Sequence, residues 1–121
     1  MNIPVNFEKE LAKSQVLIGG VTYKMEVYGG QPGKWPIGVW LIPQRFDRHK
    51  SDMAICFTIP FGVKWGSGSV IVKTRWAKAG TGDHWLGGTD TQIVISRDNL
   101  VTRNAFIFWL ERVVPIVKNL M

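Results

Sequence analysis

The sequence predicts an α+β domain that is mainly β: a single antiparallel meander sheet of about five or six strands with a long C-terminal helix packed on it. Alternating apolar and polar segments recur within residues 15–97, turn-length links containing glycine separate them, and residues 102–120 show helical periodicity. A chain of 121 residues has the length of one ordinary domain. We therefore expect a single domain over residues 1–121, with its sheet open, curled or closed into a barrel.

The first predicted elements are a short helix and a β-hairpin. Residues 6–13 begin with Asn6, a residue type that caps helices well, so we expect one short helix there. Gly19-Gly20 then separates two strands and can supply the positive φ angles of a two-residue turn. The second strand should be half-buried, because four apolar side chains alternate along it: Val21, Tyr23, Met25 and Val27.

Three more strands are expected in the middle of the chain. Residues 37–42 are apolar on both faces, as in a central strand, and Pro36 and Pro43 bracket them. Residues 53–61 alternate, with the larger apolar residues on one face: Met53, Ile55, Phe57, Ile59 and Phe61. Residues 69–77 place Val70, Val72, Thr74 and Trp76 opposite Ile71, Lys73, Arg75 and Ala77. Trp40 and Trp76 lie on apolar faces, and we expect both in the core.

The last part of the chain predicts a loop, a short strand and the long helix. Residues 79–90 are rich in glycine and are expected to form a loop, and residues 92–96 a last strand. The helix begins near Thr102, and its narrow polar stripe contains Phe108 and Pro115. So wide an apolar arc predicts either a helix enclosed by a curled sheet or a subunit interface that includes Phe108. We expect a homodimer or higher homo-oligomer, and a kink at Pro115.

The charge of the chain is concentrated in its central third. Fifteen basic and nine acidic residues give a net charge of +6. Residues 34–78 contain eight of the basic residues and only two of the acidic ones, which accounts for the whole excess. A localised positive potential attracts polyanions, so the composition favours a nucleic-acid partner.

The sequence also argues against a secreted or membrane protein. Cys56 is the only cysteine, so no intrachain disulfide can form and a reducing compartment is expected. The first 13 residues have no apolar stretch typical of a signal peptide. The longest apolar run, residues 105–110, is far shorter than the ~20 residues of a spanning helix. These features predict a cytoplasmic protein that does not interact with a membrane.

No motif predicts an enzyme. Residues 29–35 resemble a phosphate-binding loop only superficially, because the glycine spacing is short and Trp35 replaces the magnesium-binding hydroxyl. Cys56 lies mid-strand among apolar residues and is expected to be buried and inert. His84, beside Asp83, could have a chemical role, but a structural zinc site needs about four ligands. We therefore expect no catalytic residue, no cofactor and no metal.

Basic and aromatic residues are interleaved, and this pattern carries the functional hypothesis. Single-stranded nucleic acid is bound by cations that track phosphates and by flat side chains that stack on unpaired bases. We predict that the basic residues contact phosphate and that Trp65, expected at a hairpin tip, stacks. The predicted nucleic-acid-binding residues are Arg45, Arg48, Lys50, Lys64, Trp65, Lys73 and Arg75.

The sequence leaves three non-enzymatic functions open. The first is a binder of single-stranded DNA or RNA, and a strand meander closed by a C-terminal helix resembles in outline the PUR-alpha-type binding proteins. The second is a phage or viral structural or assembly subunit, and RNA-phage coat proteins also combine a sheet with C-terminal helices. The third is a small mobile-element inhibitor or accessory protein that docks on a nucleic-acid enzyme. No sequence motif is shared with any of these groups, so the outlines indicate architecture alone.

Overall fold

The computed structural model describes residues 15–28, 37–43, 53–60, 68–78 and 87–120, and within them it contains one antiparallel sheet and one long helix. Each strand pairs with the next along the chain, so the strand order follows the sequence. The predicted fold class, α+β and mainly β with a meander sheet, is confirmed. The strands are β1 (Gln15–Ile18), β2 (Val21–Tyr28), β3 (Ile37–Pro43), β4 (Met53–Ile59), β5 (Ser69–Lys78) and β6 (Gly87–Ser96).

The β1–β2 hairpin forms where the sequence predicts it. Ile18 pairs with Val21, so Gly19 and Gly20 are the two turn residues. Their φ angles are 58° and 80°, a region that glycine adopts without steric cost. The helix predicted over residues 6–13 lies outside the described residues, as does the part of the predicted 79–90 loop that covers residues 79–86.

The two faces of the sheet have different compositions. The inner face packs against the helix and contains most of the large apolar strand residues, including Tyr23, Met25, Phe57 and Ile95, each at most 1% exposed. We call the opposite side the outer face. The alternation predicted for residues 21–27, 53–59 and 69–77 is therefore confirmed. Both its two-residue period and the set of residues that faces the helix agree with the prediction.

The last strand is longer than predicted. β6 begins at Gly87, whereas the sequence suggested a loop up to residue 90. Gly87 pairs with Trp76, and a Cβ atom on Gly87 would lie 2.6 Å from the Cε2 atom of the Trp76 indole. Close packing against the indole thus requires glycine at this position inside a strand. In the sequence, such a glycine looks the same as one that marks a loop. The pairing register shifts between Val72 and Thr74, which interrupts the ladder.

A short 3₁₀ turn leads from the sheet into the helix. It spans Arg97–Leu100, and both the backbone N–H and the hydroxyl of Ser96 donate to Asn99 Oδ1, at 3.2 and 2.8 Å. Thr102 then caps the helix, since its Oγ1 accepts a hydrogen bond from the Ala105 N–H at 3.1 Å. The helix, α1, spans Arg103–Leu120, close to its predicted bounds.

The sheet curls into a half-barrel, and α1 packs on its inner face with its other side exposed. The curled sheet in the first of the two predicted explanations for the wide apolar arc is therefore confirmed. Six helix residues are buried: Phe106, Trp109, Leu110, Val113, Val114 and Val117. The helix continues through Pro115, which is exposed. Proline costs a helix one backbone hydrogen bond, and on the solvent side water can satisfy the freed carbonyl.

Trp109 connects the helix to the sheet at two places. Its ring meets Phe57 of β4 edge-on, with centroids 5.3 Å apart, and lies 5.6 Å from the ring of Phe106. Its Nε1 donates a hydrogen bond to the Val94 carbonyl of β6 at 2.8 Å. A buried indole needs such an acceptor for its N–H, so this bond also fixes the rotation of the helix against the edge of the sheet.

Candidate nucleic-acid interface

Two of the predicted binding residues lie side by side on β5. Lys73 and Arg75 are both exposed on the outer face, as the strand alternation requires. Alternate residues of a strand are about 7 Å apart, so the two cationic groups form a short row along β5. Ile71, on the same row, is 51% exposed and pairs with Val94, which is also 51% exposed. The row therefore continues into a small apolar patch.

The other five predicted binding residues lie outside the described residues. Arg45, Arg48 and Lys50 belong to the connection after β3, and Lys64 and Trp65 to the connection after β4. Their assignment stays a prediction. Within the described residues, the candidate interface consists of strand residues alone.

The two tryptophans that were expected in the core lie on opposite faces. Trp76 is on the inner face and 8% exposed, so the expectation is confirmed for it. It is wrong for Trp40, which is half-buried on the outer face. The physical reason is that β3 is apolar on both sides, and only its pairing, with Leu41 between Met25 and Ile55, turns Trp40 outward.

Trp40 shares a cross-strand row with a cation. It pairs with Cys56 of β4, and Cys56 pairs with Arg75 of β5. Two strand spacings separate Trp40 from Arg75, about 10 Å. The row thus contains an aromatic ring and a guanidinium group on one face. The sequence predicted this combination for Trp65 and the basic residues.

The charge on the described outer face is positive. Lys24 is exposed and forms an ion pair with Glu26, with 3.4 Å between Nζ and Oε1. Among the outer-face strand side chains that the structure describes, Glu26 is the only acid, and Lys24, Lys73 and Arg75 are the cations. Because Lys24 and Glu26 offset each other, the excess charge of the described side chains on this face comes from β5.

Cys56 is buried, as expected, although it is on the outer face. It is 5% exposed, and burial raises the pKa of its thiol above the ordinary value, against smaller opposing effects of the Thr58 hydroxyl and the Arg75 charge. Ala54 and Ala77 on this face are also buried, at 6% and 2% exposed. These three small residues therefore offer a ligand little contact of their own, and the exposed cations nearest to them are Lys73 and Arg75.

A groove of about 600 Å³ lies between β6 and α1, and Ser69 of β5 also lines it. Its lining includes the apolar residues Ile93, Trp109 and Val113 and the polar residues Ser96 and Asn99. Arg112 and Ile116 of the helix line it, and the guanidinium group of Arg112 also covers the exposed ring of Phe108, 5.1 Å from its centroid.

Among the described side chains, no group of three or more His, Cys, Asp or Glu residues could bind a metal ion. His49 and His84, the two histidines of the chain, lie outside the described ranges. No helix within the described part of the chain is both long enough and apolar enough to cross a membrane.

Comparison with known proteins adds no relative. No protein-family model matches the chain, and neither a curated protein nor a solved structure matches it.

Proposed function

We propose that the chain binds single-stranded nucleic acid on the outer face of its sheet, along β5, without acting as an enzyme. The observation that carries the proposal is the adjacent pair of exposed cations, Lys73 and Arg75. The one acid among the described strand side chains of this face, Glu26, is already paired with Lys24. A phosphate group approaching β5 would contact two exposed cations, Lys73 and Arg75.

The spacing of the two cations suits an extended single strand. Residues two apart on a strand are about 7 Å apart, which is close to the distance between successive phosphates of a stretched chain. A guanidinium group can bind one phosphate through two hydrogen bonds, and an ammonium group acts as a point charge for the next. Lys73 and Arg75 would therefore bind neighbouring phosphates.

Trp40 favours an unpaired nucleic acid over a duplex. A base attached to a phosphate at Arg75 can extend across Cys56 toward the indole of Trp40, which shares its row. Stacking requires a base face that is not covered by a neighbour, and only a single strand offers it readily. The cross-strand row of Trp40 and Arg75 would thus contribute affinity that does not depend on the base sequence of the nucleic acid.

The experiment is a tryptophan-fluorescence titration with single-stranded oligonucleotides and with a duplex, at two or more salt concentrations. The Lys73→Glu, Arg75→Glu double variant should lose affinity by on the order of 100-fold, about tenfold for each phosphate contact removed. It should also reduce the slope of log affinity against log salt by about 1.4, at ~0.7 per phosphate for single strands. Both residues are exposed, so the thermal unfolding midpoint should not change by more than a few degrees.

The single variants Lys73→Glu and Arg112→Glu form a matched pair. Both replace an exposed cation and change the net charge equally, one on β5 and one on α1, and both leave the Lys24–Glu26 ion pair intact. If the site is on β5, Lys73→Glu weakens binding and Arg112→Glu changes it much less. Equal losses in the two variants would indicate binding to net charge alone, and unchanged affinity in the double variant would disprove the site.

Assembly into a larger particle is the second candidate function, and a different observation favours it. Phe108 of α1 is 58% exposed, and Ile116 is 50% exposed on the same side of the helix. Exposed apolar side chains near one another often mark contacts between proteins. The geometry of this helix surface leads to the inference below, which does not depend on nucleic-acid binding.

A further inference from the structure

The exposed side of α1 has a symmetric arrangement of residue types. Its central stripe contains, in order, Asn104, Phe108, Glu111, Arg112, Pro115 and Asn119, all exposed. The separations along the chain are four, three, one, three and four residues, the same from either end. At about 100° per residue the six side chains fall within a narrow arc opposite the buried ones. The midpoint of the stripe lies between Glu111 and Arg112.

A two-fold axis through that midpoint would pair like with like across two antiparallel helices. Asn104 of one helix would face Asn119 of the other, and Phe108 would face Pro115. Apolar residues would thus face apolar residues, and amides would face amides. We call this line of contact between the two helices the seam, and at 1.5 Å per residue it is about 22 Å long. At the axis two carboxylates and two guanidinium groups come together with no net charge.

We propose that a second copy of this chain docks on α1, with the two helices packed antiparallel about a two-fold axis between Glu111 and Arg112. The ring of Phe108 from each copy lies against Pro115 of the other. The ring of Phe108 also reaches Ile116 of that other copy, which lines the groove between α1 and β6. The interface is isologous, so each contact occurs twice.

The residue types of the stripe favour a second copy over an unrelated partner, because end-to-end reversal sets Glu111 against Arg112 and Phe108 against Pro115. The spacing itself does not distinguish partners, since every helix face repeats at three and four residues. A different protein would need to supply the complement of six positions, whereas this helix already presents that complement when it is turned end to end. The seam is short, and stable interfaces usually bury ~800 Å² on each partner. We therefore expect a dimer that forms in the micromolar range and dissociates on dilution.

Sedimentation velocity over a range of concentrations tests the association. The unaltered chain should shift from monomer to dimer as its concentration rises, and Phe108→Glu should remain a monomer. Leu17→Glu is the matched control, because Leu17 is a large apolar residue, 64% exposed, on the outer face of β1 and outside the proposed contact. It should dimerise like the unaltered chain. A chain that is monomeric at every concentration would overturn the proposal.

A charge exchange tests the position of the axis. Glu111→Arg places four arginines at the axis and Arg112→Glu places four glutamates there, so each variant alone should lose dimerisation through like-charge repulsion. Mixed together, the two variants should form a one-to-one heterodimer, because every pair at the axis is then of opposite charge. Both residues are exposed, and circular dichroism should show an unchanged fold.

The outcomes of the exchange separate this geometry from general stickiness. Heterodimer formation only in the mixture supports the two-fold axis at this position. Variants that dimerise separately as well as the unaltered chain place the contact elsewhere and reject the proposal. Loss of association in both variants without recovery on mixing rejects the antiparallel two-fold arrangement.

Discussion

The two faces of the sheet carry different kinds of residues, although each strand contributes to both. On the inner face Phe57, Ile95 and their neighbours are completely buried under α1. On the outer face the β5 row leaves Ile71, Lys73 and Arg75 exposed. Burial of a large apolar side chain contributes about 1.5–3 kcal/mol, so the inner face determines stability. The outer face can vary in charge with little effect on folding, and it is where we expect binding.

The largest expected difference between the faces concerns the ring of Phe57. Phe57→Ala should lower the free energy of unfolding by about 3–5 kcal/mol, because it leaves a cavity beside Trp109. Ile71→Ala on the outer face should change it by no more than ~0.5 kcal/mol. Urea titrations of both variants measure the two values. Similar losses would mean that the outer face is packed as tightly as the inner one.

A smaller effect is expected at Gly87, where inner-face packing reaches the backbone of β6. Gly87→Ala should cost about 1–3 kcal/mol, because the added methyl group would overlap the Trp76 indole. In a Trp76→Leu background the same change should cost little. Chemical denaturation of the four chains gives a double-mutant cycle. A cost that persists without the indole would show that the strand conformation itself requires glycine.

The smallest expected effect has the opposite sign. Thr74 is on the inner face, 1% exposed, and its Oγ1 is buried without a hydrogen-bond partner in the structure. Thr74→Val keeps the shape and removes the unsatisfied hydroxyl, so it should raise the free energy of unfolding by about 1 kcal/mol. Thr58→Val is the control, since Thr58 Oγ1 lies 4.0 Å from Cys56 Sγ on the outer face. Thermal unfolding should show no such gain for that control.

How far the sequence predicted these faces depended on how polar the second side of each strand was. In β5 the polar residues Lys73 and Arg75 mark the outer side, and the prediction was right for Trp76. In β3 both sides are apolar, and Trp40 was placed in the core although it lies outside. Pairing with β2 and β4 decides that orientation, and register between strands is not encoded within one strand.

The site was predicted in the same uneven way. Alternation places Lys73 and Arg75 on one face of one strand, so their shared exposure follows from the sequence. The row that joins Arg75 to Trp40 through Cys56 depends on two strand pairings, and residue spacing did not indicate it. The start of β6 was missed for a related reason. Gly87 was interpreted as a loop residue, whereas its lack of a side chain accommodates an indole from the neighbouring strand.

The sequence by itself determined the fold class, the meander order, the first hairpin and the bounds of α1, because these follow from local periodicity, turn residues and capping groups. Only the tertiary structure decided which apolar face of β3 points inward, where β6 begins, and that the helix packs on the inner face of a curled sheet with Phe108 left outside. These features arise from contacts between residues distant in sequence. Such contacts form only when the elements pack together.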